Sequence, residues 1–161
     1  MALLLRDKQI TQDNWLVVDE TATTLPSGDI LLSFNHWQQL ENKLEQHNGA
    51  IGVWIEGNAE IEDFLEPLLS LPLIAINFPK FADGRGFSLA TLLRDRYQYK
   101  GELRAIGNFI RDQLFFLTRC GFNSFKFPDG TNLEEVANSL TDFSENYQVS
   151  ADENQPLFRR R

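Results

Sequence analysis

Apolar residues along this chain come in short runs separated by helical stripes, and that alternation is the strongest structural signal it carries. Ala2 to Leu5, Trp15 to Asp19 and Asp29 to Leu32 read as strands of an irregular entry, set apart by polar Thr11 to Asn14 and by the turn Pro26-Ser27-Gly28. Asn35, with Gln38 in the reciprocal position, predicts a capped helix whose Trp37, Leu40 and Leu44 stripe stops at Gly49. Ile51 to Ile55 predicts a buried strand, followed by a helix on Ile61, Phe64, Leu65, Leu68 and Leu69. Pro67 lacks an amide donor and crowds the preceding turn, so a kink or restart is expected there.

The pattern then repeats. Leu73 to Asn77 is the next strand, followed by a long glycine-bearing loop and a helix starting near Ser88 with Leu89, Leu92 and Leu93 inward. Leu103 to Ile106 is a strand, and Gly107-Asn108 is expected to cap a helix carrying Ile110, Leu114 and Leu117 as far as Gly121. Phe122 to Phe127 is a further strand closed by Pro128-Asp129-Gly130. Thr131 and Glu134 form a capping box for a helix on Leu133, Val136, Ala137 and Leu140, and a short strand is expected near Tyr147 to Val149.

Strand-helix alternation implies right-handed crossovers, so the expected fold is α/β, with a mostly parallel sheet of about five strand-helix units. Five units are too few for an eight-unit barrel, which leaves an open or half-barrel-like sheet behind an N-terminal β entry. One domain over residues 1–161 is expected, with a β-rich entry at 1–32 and a polar tail at 150–161.

Composition narrows the chemistry. A single cysteine, Cys120, excludes a disulfide framework or a metal cluster held by several thiolates of this chain. Cys120 stands at the C-terminal end of its helix, where the dipole disfavours a thiolate, and reads as a packing residue. His36 and His47 sit at opposite ends of one helix with no third ligand at a metal spacing, so no metal site is expected. No apolar stretch approaches the roughly 20 residues of a membrane span, and Met1 to Leu5 lacks the features of an export leader, so a cytoplasmic location without membrane contact is expected.

The net charge of -8 argues against nucleic acid as a partner. The charge is segregated: between Glu66 and Asp129, nine basic residues face four acidic ones, and three arginines end the chain. Within the basic stretch, the Lys80 to Ser88 loop follows a buried strand, where parallel α/β sheets bind ligands. Gly84 and Gly86 free backbone amides, a helix start adds its dipole, and Lys80 and Arg85 add charge. Lys80, Asp83, Gly84, Arg85, Gly86 and Ser88, with Arg104 and Arg111 nearby, are therefore the expected site for a small oxyanion. The loop matches neither the dinucleotide fingerprint nor the phosphate loop, and no cofactor is indicated. Pro156-Leu157-Phe158 followed by Arg159, Arg160 and Arg161 is a short apolar anchor with a cationic end, suited to docking on an acidic surface.

The run Phe78 to Phe87, Arg104-Ala105-Ile106-Gly107, Arg111-Asp112-Gln113-Leu114, Arg119-Cys120-Gly121-Phe122 and the terminal Pro156 to Arg161 together resemble the bacterial family called domain of unknown function 934. That family is usually encoded beside sulfite reductase and labelled as predicted oxidoreductases, so the resemblance implies a place in assimilatory sulfite reduction. The chain departs from the family pattern at Asn108, where Asp is expected. Three readings follow: an accessory protein that binds a small anion or docks on sulfite reductase, an oxidoreductase with an unrecognised non-covalent cofactor, or a non-catalytic interaction module.

Overall fold

The computed structural model describes residues 2–80 and 84–141. Strands β1 (Leu3–Arg6) and β2 (Gln9–Gln12) form a hairpin, followed by β3 (Leu16–Val17) and β4 (Ile30–Ser33). Helices α1 (Phe34–Gln39) and α2 (Glu41–Leu44) precede β5 (Ile51–Glu56), and α3 (Leu65–Leu69) precedes β6 (Leu73–Phe78). Then come α4 (Arg85–Thr91), β7 (Glu102–Gly107), α5 (Leu114–Cys120), β8 (Ser124–Phe125) and α6 (Leu133–Thr141).

All eight strands belong to one sheet ordered β2-β1-β8-β7-β6-β5-β4-β3. The sheet is mixed, which corrects the expectation of a mostly parallel sheet of about five units. Neighbours from β3 to β8 pair in parallel, whereas β1 enters antiparallel beside β8 and carries β2 antiparallel on its far side. The cause is the two-residue turn Asp7-Lys8, with φ of 50° and 66°, the left-handed pair that a tight hairpin needs. β2 is Gln-Ile-Thr-Gln, mostly exposed, so it lacks the apolar alternation by which a strand is read.

Consecutive parallel strands lying side by side in chain order place their right-handed crossovers on one face. That face holds the main core, where Val53, Ile55, Ile74, Ile76, Phe78, Leu103, Ala105 and Phe125 meet Leu68, Leu89, Leu93, Leu114, Leu117 and Val136 of the helical layer. The opposite face is concave, and the sheet curls into a half-barrel. Chain connectivity demands the curl. The edge strands β2 and β3 are joined by only Asp13, Asn14 and Trp15, which span at most about 15 Å at ~3.8 Å per Cα step. A flat eight-stranded sheet would hold its edges about 34 Å apart at ~4.8 Å per strand. The three residues run across the hollow as a strap, and Trp15 packs there with Leu31, Leu73, Ala75, Trp54 and Ile106.

Several helix boundaries differ from the pattern reading for local reasons. Ser33, not Asn35, caps α1, its Oγ accepting from the His36 amide at 3.2 Å. The helical segment before β6 restarts at Leu65, after a 3-10 turn at Glu62–Phe64. Pro67 thus occupies the first turn of α3, where its missing N–H would have had no partner. Asn132, not Thr131, caps α6 by accepting from the Glu135 amide at 3.2 Å. Gly121 ends α5 in the left-handed conformation, φ 113°. The strand expected near Tyr147 to Val149 lies outside the described residues.

Candidate functional site

The loop singled out by sequence leaves the end of β6. Lys80 is exposed there, and Asp83 lies outside the described residues. Gly84 is the N-cap residue of α4, and among the described residues no side chain caps that helix. Backbone sits close on both sides of its first turn. A Cβ on Gly86 would lie 2.5 Å from the Phe78 ring, and one on Gly57, just past β5, would lie 2.6 Å from the Gly86 nitrogen. Glycine at both positions lets the end of β5 and the start of α4 touch main chain to main chain. Beside this contact, Arg85 and Ser88 line a cleft of about 430 Å3 with Gly57, Asn58 and Glu62. Backbone amides, a guanidinium and a hydroxyl at a helix start are donors suited to an anion.

Lys80, Gly84, Arg85, Gly86 and Ser88 therefore fall at one strand-to-helix junction, but Arg104 and Arg111 do not join them. Arg104 projects from β7 into the concave hollow, opposite the helices, and is only 2% exposed. Its guanidinium donates to Glu102 Oε1 at 2.8 Å, Ser124 Oγ at 3.2 Å and Asp13 Oδ1 at 3.2 Å. Lys126 Nζ donates to the other Asp13 oxygen at 2.8 Å, and Arg6 approaches Glu102 Oε2 at 3.4 Å. Burial works against charge on Asp13, but the Lys126 hydrogen bond, the Arg104 guanidinium and the Trp15 amide together hold its carboxyl below the usual value. Arg111 is half exposed and pairs with Glu135 of α6 at 2.6 Å. Both arginines are thus bound to carboxylates of this chain.

Sequence reasoning passed over a polar pair on the concave rim. Glu56, the last residue of β5, is in register with Asn77, one residue before the end of β6, and Asn77 Nδ2 donates to Glu56 Oε1 at 3.0 Å. Both are half-buried. The available signal was a polar residue closing each apolar strand run, directly before Gly57 and Phe78. Asn108 does not cap a helix as expected. Its amide donates to Phe78 O at 2.6 Å and its side chain to Pro79 O at 2.8 Å, fixing the chain where it leaves β6. Gly107 makes that approach possible, since at φ 91° a Cβ would stand 2.5 Å from Phe78 O. The following 3-10 turn, Arg111–Gln113, is held instead by Gln113 Oε1 accepting from the Ile110 amide at 3.1 Å.

Cys120 is buried in the main core. Among the described residues, no group of three His, Cys, Asp or Glu side chains could hold a metal ion, and no helix is long and apolar enough to cross a membrane. Phe158, Arg159, Arg160 and Arg161 lie outside the described residues.

Fold and site together define an α/β half-barrel protein with a cleft at the junction of a central strand and its following helix, where Arg85 and Ser88 stand beside Glu62 and the apolar Ala59, Ile61, Leu89 and Leu92. Residues 52–158 match the family described as bacterial protein of unknown function (DUF934), and the chain belongs to that family. No curated protein and no solved structure matches it.

Proposed function

We propose that this chain is a cytoplasmic accessory protein of assimilatory sulfite reduction that binds a small oxyanion in the cleft between the end of β5 and the start of α4. The observation that carries the reading is the first turn of α4, which no side chain among the described residues caps, laid against Gly57 with Arg85 and Ser88 on the same cleft. Its amides, the dipole end and the Arg85 guanidinium supply donors without a redox group. Arg104 and Arg111 are assigned to structure, and Lys80 to the approach of the anion. The sulfite-reduction setting rests on the family resemblance and makes sulfite, sulfate and phosphate the anions to try first, with sulfite reductase as the docking partner.

The test has two arms. Anion-dependent melting and titration calorimetry of the wild type and Arg85→Ala report the binding function. Affinity purification from cells with an absorption spectrum reports the setting: colourless protein recovered with sulfite reductase fits the proposal, whereas a stoichiometric coloured group on the chain itself would make it an oxidoreductase.

A further inference from the structure

A second depression lies on the helical face, with Glu62 between it and the anion cleft. It is an apolar groove of about 360 Å3 between α1–α2 and α3, lined by Trp37, Leu44, Phe64, Pro67 and Leu71. The rings of Phe34, Trp37 and Phe64 cluster beneath it, with centroids 5.6 to 6.4 Å apart. Trp37, Phe64 and Leu71 all keep partial exposure. The rim is acidic. Glu45 lines the groove, and Glu62, Asp63 and Glu66 are exposed on the adjoining turn and α3. From Phe34 to Leu71, Lys43 is the only lysine or arginine against seven acidic residues.

An apolar slot with an acidic rim fits an apolar segment with a cationic end, and the chain carries one in Pro156-Leu157-Phe158-Arg159-Arg160-Arg161. We propose that this C-terminal segment docks in the groove of its own molecule, with Leu157 and Phe158 over the aromatic floor and the arginines against the acidic rim. Charge selects this groove among the depressions of the surface. The large cavity at Lys8, Arg94 and Lys100 sets three cations against Asp7 and Asp95, and the cleft at Phe87 and Phe116 sets Arg96 against Asp95, whereas the only charged residue lining this groove is Glu45. Reach is sufficient. The 14 residues between Thr141 and Pro156 span up to about 46 Å when extended, more than the width of a domain with a radius of gyration of about 14 Å. The inference does not rest on anion binding, although Glu62 borders both depressions.

Heteronuclear NMR of the full chain tests it, comparing the wild type with Phe158→Ala and with a variant in which Arg159, Arg160 and Arg161 are all alanine. The expected result is a shift of the Trp37 indole N–H and of the Ser70 and Leu71 amides in both variants. Those shifts should be independent of protein concentration and be reproduced in the wild type by high salt. Reversing the rim with Glu45→Lys and Glu66→Lys should move the tail resonances in the same sense as the arginine variant. Changes confined to residues 142–161 would overturn the proposal, and so would groove shifts that vanish on dilution, which would assign the groove to the tail of a second copy.

Discussion

Asp13 and Arg104, 91 positions apart in sequence, meet at 3.2 Å inside the curl of the sheet. With Lys126 on the other Asp13 oxygen, this contact ties the strap between the two edge strands to β7 and to the residue that follows β8. Chain connectivity sets the curl, and this one carboxylate anchors the strap to Arg104 and Lys126 beneath it.

That anchorage sets a pH response. The Asp13 carboxyl lies below its ordinary 3.8 in the folded chain, so its contribution to stability is present above about pH 4 and is lost as the pH falls through the folded value. Asp13→Asn is expected to destabilise the protein by about 1 to 3 kcal/mol at pH 7. The difference should shrink toward pH 3, as read from urea midpoints. A constant difference across that range would show that the charge on Asp13 does not carry its contribution to stability.

Arg104→Met should be more damaging. It leaves Glu102 and Asp13 with buried negative charge, and breaking one side of such a network costs about 3 to 5 kcal/mol. Arg104→Lys should recover only part of the loss, because an ammonium cannot reproduce the planar fork that reaches Glu102, Ser124 and Asp13 together. Anion affinity of the folded fraction should be unchanged. A stable Arg104→Met protein that no longer responds to anions would place the ligand in the hollow instead.

These two residues also mark the limit of what the sequence discloses. β5, β6 and β7 were legible because strands buried on both faces are nearly continuous apolar runs. β2 was not, because its pairing rests on the Asp7-Lys8 turn rather than on burial. Arg104 read as part of the expected anion site, since Asp13, 91 positions away, becomes its neighbour only when the sheet curls, whereas Ser124 lies beside it in the β7–β8 register. A strand-to-helix step after β6 was legible from glycine spacing and strand position, but α4 starts at Arg85, three residues before the start expected near Ser88, so Arg85 to Ser88 are helix and not loop. The contribution of Gly57 needed the packing of β5 against α4.

Gly57→Ala tests that packing. Its new methyl would meet the Gly86 nitrogen at 2.6 Å, and main chain cannot swing away as a side chain can. A loss of about 1 to 3 kcal/mol is expected, with weaker anion binding as α4 shifts. Gly84→Ala is the contrast. Among the described residues a Cβ there meets nothing closer than 4.0 Å and φ is -83°, so stability should hold or rise by about 0.4 to 1 kcal/mol. Equal losses in both variants would refute the close approach.

Arg111→Ala should do little. The Arg111 and Glu135 side chains are 47% and 59% exposed, and such pairs contribute at most about 1 kcal/mol. A thermal melt within that range and an unchanged anion response are expected. A lost anion response would return Arg111 to the site.

The most direct test of the account is titration of the wild type and Arg85→Ala with sulfite, sulfate and phosphate. A charge-assisted contact contributes about 1.5 to 3 kcal/mol, so Arg85→Ala should weaken the preferred anion by roughly ten- to a hundredfold with an unchanged melting temperature in anion-free buffer. Identical titration curves for the two proteins, or an Arg85→Ala chain that loses several kcal/mol of stability without any anion present, would contradict a binding cleft at the start of α4.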